Sequence, residues 1–251
     1  MIRISNVHKS FETNKVLDNI SLDIEDADTF VIVGKSGIGK SVLLKCITRL
    51  IDADTGIIYI DDEDITAASR NDLLRIRWKI GMVLQEGALF DSMNVFENVA
   101  FPLIYHKLAP MNEIRKKVFR FLDLVEMSEF VHSFPAELSG GMKRKVSLAR
   151  AMIMEPKYLL YDEPTSGLDP ESAGIVESLI LKLKQELKIT SLIVTHDIDL
   201  AKYVGEKIAL LENGTITTIM TKETAFLPTS VIYKHFISNR ERVHKNNENQ
   251  F

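Results

Sequence analysis

The sequence predicts an α/β fold: a parallel sheet covered by helices, with a helical lobe inserted in it. Three observations predict it. First, Thr29-Phe30-Val31-Ile32-Val33 is a continuous β-rich apolar run, the pattern of a strand buried on both faces. Second, Gly34 to Gly39 breaks that run, and apolar residues then recur at helical spacing from Lys40 to Leu50. Third, β-like runs return at Tyr158 to Tyr161, Ser191 to Thr195 and Lys207 to Leu211, with helical patterns between them. Alternating β and α builds a parallel sheet.

The remaining elements follow in chain order. Ile2 to Val7 and Val16 to Ile24 read as strands, and Ile80 to Leu84 as another. From about Glu86 to Met154 the pattern is mainly helical, with Glu113 to Val125 clearly amphipathic. We read 86–138 as the inserted lobe and expect a helix beginning near Lys143. A long helix is expected from Pro170 to Leu187, with Asp169 as N-cap and Pro170 in its first turn. Asn213-Gly214 marks a hairpin turn. From Thr221 the character changes, so residues 1–220 form the expected domain and 221–251 a C-terminal extension. Val231 to Ile237 reads as a short helix, and Arg240 to Gln250 as a polar, frayed end.

Composition narrows the function classes. The 251 residues are 45% hydrophobic and 26% charged, an ordinary globular balance. A net charge of -4 argues against a nucleic-acid partner, since proteins that track phosphates usually carry a basic excess. The single cysteine, Cys46, excludes a disulfide within the chain and reads as a small buried residue suited to a reducing cytoplasm. No apolar run approaches the roughly 20 residues that span a bilayer. The start, Met1 to Ser5, reads as a strand rather than a secretory signal. Any service to a membrane would therefore come from its side. Asp61-Asp62-Glu63-Asp64 reads as a solvated turn without a calcium-loop pattern.

Chemistry concentrates at four places. Gly34-Lys35-Ser36-Gly37-Ile38-Gly39-Lys40-Ser41 fits G-x-x-x-x-G-K-S between a buried strand and a helix. Such a loop curls backbone N–H groups round an anion, and the helix points its positive end at the same place. Lys40 would neutralise the β- and γ-phosphates of ATP, and the Ser41 hydroxyl would bind Mg²⁺. Tyr158-Leu159-Leu160-Tyr161-Asp162-Glu163 is a buried strand ending in two carboxylates. Beside a phosphate loop, Asp162 would hold Mg²⁺ through water and Glu163 would polarise the attacking water. His196 follows a third strand, where ligands collect in parallel α/β folds, and would reach the γ-phosphate or that water. A second anion site opens at Leu138-Ser139-Gly140-Gly141-Met142. One chain cannot easily aim both anion sites at one phosphate, so a head-to-tail homodimer is expected.

With these residues in hand, the chain from about Ile2 to Met220 resembles the ABC ATPase family, six of whose motifs it carries in order. The resemblance implies the ABC ATPase version of the P-loop NTPase fold, with an antiparallel β subdomain beside the parallel sheet and the helical lobe. Gly34 to Ser41 match Walker A and Tyr158 to Glu163 match Walker B. Gln85 matches the Q-loop glutamine, which in the family senses γ-phosphate and Mg²⁺ beside the groove where an integral-membrane permease docks. Ser139, Gly140 and Gly141 match the signature loop, Ser166-Gly167-Leu168-Asp169 the D-loop, and His196 the switch histidine. Phe11 stands where the family places an aromatic that stacks on adenine; core packing is its alternative.

Met142 replaces the signature's usual final glutamine. With the stretch Gly87 to Leu103 it resembles the MlaF/Mkl branch, which drives lipid transport with an MCE-domain protein, although that branch usually has serine in place of Glu86. The resemblance implies ATP and Mg²⁺ as ligands and a peripheral place on the cytoplasmic face of the inner membrane. It also implies phospholipid cargo and room for a small regulatory subunit. An ABC ATPase for another solute or for lipoprotein export, or a non-transport cassette such as an iron–sulfur assembly factor, would share the same catalytic residues.

Overall fold

Apolar alternation in the first strands places one face on a core and leaves the other wet. A computed structural model, which describes residues 1–85 and 87–235, shows them longer than their apolar runs. Strand β1 (Ile2–Phe11) pairs antiparallel with β2 (Asn14–Ile24) and with β4 (Thr55–Ile60), and β4 pairs with the short β5 (Glu63–Asp64). This is the antiparallel subdomain, in the order β2-β1-β4-β5.

The second sheet is the doubly covered one. Its order is β10-β9-β3-β8-β7-β6, for β3 (Thr29–Val33), β6 (Ile80–Val83), β7 (Tyr158–Asp162), β8 (Thr190–Thr195), β9 (Lys207–Glu212) and β10 (Thr215–Thr221). All its pairs are parallel except β9 with β10, which turn through Asn213 and Gly214, both left-handed with φ of 47° and 78°. Every residue of β3, β7 and β8 is buried, as a central strand between two helical layers requires.

The helices are α1 (Lys40–Ile47), α2 (Arg70–Arg77), α3 (Val95–Tyr105), α4 (Met111–Leu124), α5 (Gly140–Met152), α6 (Pro170–Leu187), α7 (Ile198–Val204) and α8 (Lys222–Ala225). A further helical turn covers residues 231–235. Helix α6 has the expected bounds, and the Asp169 side chain accepts from Ser172 N at 3.0 Å as its N-cap. Apolar residues of α3, α4 and α5, among them Val99, Val118, Phe121 and Leu148, share one core with the sheet residues Val31, Leu159 and Ile193 and with Leu179 of α6.

The structure corrects three local expectations. Helix α1 stops before Leu50, because the Thr48 hydroxyl donates back to Leu44 O at 3.0 Å and Arg49 turns left-handed at φ 51°. Helix α5 starts at Gly140 rather than near Lys143. Ser139 is its N-cap, accepting from Met142 N at 3.3 Å, so the two glycines are first-turn helical residues. The acidic run at 61–64 is not merely solvated. Asp61 accepts from Lys157 Nζ at 2.5 Å, from Lys79 Nζ at 3.2 Å and from the Tyr158 hydroxyl, tying the turn to the entry of β6 and β7. Burial opposes ionisation there, but these donors hold the Asp61 carboxyl well below the usual range. Cys46 is buried, as expected, and burial raises its thiol to about 11. Finally, the expected helix from Val231 to Ile237 is described only as far as His235; Glu86 and the extension from residue 236 lie outside the described residues. Among the described residues no helix is long and apolar enough to cross a membrane, and no His/Cys/Asp/Glu group is arranged to hold a metal on its own.

Candidate active site

The carboxyl ends of β3, β7 and β8 meet on one side of the sheet, and each ends in a residue type suited to phosphate chemistry. After β3 the chain turns through Gly37 and Gly39, with φ of 77° and 112°. A Cβ at Gly39 would lie 2.9 Å from both Val16 Cγ1 and Val16 O, so only glycine lets the loop lie against β2. Lys40 opens α1 and is buried. Its ammonium donates to Gly34 O at 2.8 Å and to Lys35 O at 2.9 Å, and sits 3.1 Å from Glu163 Oε1.

Glu163, just past β7, has a left-handed backbone at φ 49°. Holding a non-glycine residue there costs about 1 kcal/mol or more, and the surrounding bonds must supply it. They come from the end of β8. Glu163 Oε2 accepts from Thr195 Oγ1 at 3.0 Å and from His196 N at 3.1 Å, and lies 2.8 Å from His196 Nδ1. Burial pushes the Glu163 carboxyl up, but the His196 and Lys40 contacts outweigh it and hold the acid below its ordinary value. It is therefore an ionised carboxylate at neutral pH.

Asp162 is perturbed the other way. Burial raises it, against a lowering hydrogen bond donated by Ser41 Oγ at 2.7 Å. A buried carboxylate paired with a hydroxyl is a hard oxygen donor set that suits Mg²⁺ and its retained waters, so the residues present fit the ion. When bound, Mg²⁺ supplies positive charge at the β- and γ-phosphate oxygens.

These groups face a cavity of about 360 Å³, lined by Phe11, Lys40, Ser41, Gln85, Glu163 and His196 among others. Gln85 Nε2 donates to Ser166 Oγ at 3.3 Å across its rim, so the loops after β6 and β7 meet there. Phe11 is 43% exposed at the end of β1, with Lys9 Nζ 5.3 Å from its ring centroid. That exposure disfavours core packing and leaves a ring face for a base.

The structure thus brings Gly37, Gly39, Lys40, Ser41, Phe11, Gln85, Glu163 and His196 together, with Asp162 behind Ser41. Ser139, Gly140, Gly141 and Asp169 are not among the residues that line this cavity. The Ser139 and Asp169 side chains cap α5 and α6, and a Cβ on Gly141 would press on Ser172 at 3.1 Å. Sequence reasoning missed Thr195, which anchors Glu163. Its only signal in the sequence was a hydroxyl residue ending an apolar strand.

Residues 17–166 match the family model described as ABC transporter. The chain belongs to the ABC transporter family. It is an ATP-binding, ATP-hydrolysing subunit that works with ATP and Mg²⁺. It is 40% identical over 242 residues to the methionine import ATP-binding protein MetN of Francisella tularensis subsp. holarctica, covering 94% of this chain and 69% of the relative. The MetN of Clostridium tetani is also 40% identical, with 96% and 76% covered. Among solved structures, the dimeric bacterial ABC transporter cassette MJ0796 superposes with a TM-score of 0.82 at 33% identity, over 88% of this chain and 99% of that one. The cbiO1 subunit of Clostridium perfringens, part of the ABC transporter complex cbiONQ, superposes at 0.83 with 28% identity, over 98% of each chain.

An adenine stacked on Phe11, as the family resemblance implies, would have a direct consequence. Phe11→Ala is expected to weaken ATP binding about tenfold while changing kcat at saturating ATP by less than about twofold. Equilibrium titration with ATP and a KM measurement check both halves.

Proposed function

We propose that two copies of this chain close head-to-tail on two ATP molecules and, by closing and reopening, drive an integral-membrane permease from its cytoplasmic face. One observation carries the reading. Lys40 and Glu163 converge on one cavity while the Ser139 helix start, a ready anion site, is absent from its lining and needs a phosphate from elsewhere. A second copy supplies it.

In this scheme the incoming γ-phosphate takes Lys40 from Glu163 and from the loop carbonyls, and the released carboxylate orients water. Ser41 and Asp162 hold Mg²⁺, and Gln85 and His196 read the γ-phosphate. Gly140 and Gly141 let the partner's helix start approach, and Asp169 stands in the loop that faces it. Contacts made only in the closed state bias the equilibrium toward closure, and hydrolysis removes the bias.

For cargo, Met142 and the stretch Gly87 to Leu103 favour phospholipid transport with an MCE-domain protein, and a small regulatory subunit fits that arrangement. A second reading, methionine import with a solute-binding protein, is favoured by the 40% identity to the two MetN proteins; neither relative is named for lipid transport. Affinity purification from membranes separates the two. Recovery of a permease with an MCE-domain protein supports lipid cargo. A permease with a solute-binding protein, and ATPase activity that rises with methionine, supports the second. A protein that fractionates without any permease would overturn the transport reading and favour a non-transport cassette.

A further inference from the structure

Two arginines of α5 reach the loop that carries Gln85. Arg144 is 6% exposed; its Nη1 donates to Leu84 O at 2.7 Å and its Nη2 to Ser166 O at 3.1 Å. Arg150, further along the helix, donates to Ala88 O and Gly87 O at 2.9 Å each, and its guanidinium lies 5.7 Å from the Phe90 ring centroid. The loop is thus tied to α5 on both sides of Gln85. Arg144 does more than tie it. Its two acceptors belong to the residue before Gln85 and to the residue whose hydroxyl Gln85 touches. A planar guanidinium fixes two acceptors in one geometry, which a lysine cannot do. The same helix begins at Ser139.

We propose that Arg144 is a positioning residue that couples the Ser139 end of α5 to the Gln85 and Ser166 loops at the chain's own ATP cavity. Docking of Ser139 on the partner's nucleotide then fixes Gln85 and Ser166 beside Glu163, so closure at one ATP readies the other. The inference rests on the dimeric reading above.

The test uses the intact transporter complex carrying Arg144→Met or Arg144→Lys, with the same changes placed in a Glu163→Gln chain. Arg144→Met is expected to lower kcat by about tenfold or more, because small misplacements far from the reacting atoms are costly. KM for ATP and the ATP affinity of the isolated chain should shift by less than about twofold. ATP-dependent dimer formation in the Glu163→Gln background should weaken by a comparable factor to kcat, and Arg144→Lys, which keeps the charge and one bond, should fall between native and Met. An unchanged kcat overturns the proposal. So does a fall in kcat matched by equal losses of ATP affinity and melting temperature, with no recovery in the lysine variant, since that marks a purely structural role. If Glu163→Gln alone hydrolyses ATP normally, the site reading itself has failed. If Glu163→Gln is inert and dimeric while Arg144→Met turns over normally, only this coupling has failed.

Discussion

Glu163→Gln should lower ATP turnover by about 10²–10⁴-fold while ATP affinity stays near that of the native chain. The expectation comes from what surrounds the carboxylate. Glu163 is locked at one oxygen by Thr195 and His196 and paired at the other with Lys40, and these contacts keep it ionised despite burial. A glutamine keeps the length and one acceptor but cannot take a proton from water. It also removes the negative charge that Lys40 meets, leaving that ammonium to its backbone carbonyls and to an incoming phosphate. Binding should therefore survive and the closed dimer should persist, since the step that reopens it is blocked. Phosphate release, ATP titration and light scattering with and without ATP measure the three parts. Hydrolysis at the native rate would remove Glu163 from the role assigned to it.

Much of this site was legible because its chemistry is local in sequence. The loop from Gly34 to Ser41, the strand ending in Asp162 and Glu163, and the helix capped by Asp169 each announce themselves within about ten residues through glycine geometry, burial and capping. What stayed hidden is either polar or distant. Strand β10 reads Thr-Ile-Thr-Thr-Ile-Met-Thr at a sheet edge with no buried residue, and α2 buries only Ile76, so neither shows a strong apolar period. Helix α5 was placed three residues late because a glycine pair reads as a turn when its N-cap bond to Ser139 cannot be seen. Arg144, Arg150 and the Asp61 network act on partners dozens of residues away, and a backbone carbonyl acceptor leaves no mark on the sequence.

The stretch from Gly87 to Leu103 contains a second residue whose loss should be severe, this time for stability. Asn98 is fully buried on α3. Its Oδ1 accepts from Phe90 N at 2.8 Å, and its amide donates to Phe90 O at 3.1 Å, Met93 O at 2.9 Å and Asn94 O at 3.1 Å. One side chain thus folds residues 90–94 back onto the helix they precede, beside the capping box in which Asn94 and Glu97 exchange bonds at 2.9 Å. Alanine would leave the Phe90 N–H and the Met93 carbonyl short of a partner, while Phe90 O keeps Met93 N and Asn94 O keeps Asn98 N, and it would open a void. A loss of about 2–4 kcal/mol is expected. Aspartate should be no remedy, because it keeps the acceptor but turns a charge toward three carbonyl oxygens. Urea unfolding should show a lower midpoint for both variants. The damage should also be directional. Phe90 packs at a tilt against Phe101 at 4.8 Å, and Phe101 stacks on Tyr105 at 5.5 Å, so the surface of the helical lobe loosens first. The cavity at Lys40 rests on β3, β7 and β8 and should keep its ATP affinity below the unfolding transition. An unfolding free energy within about 0.5 kcal/mol of native would show that the loop is held by its apolar contacts and not by this amide.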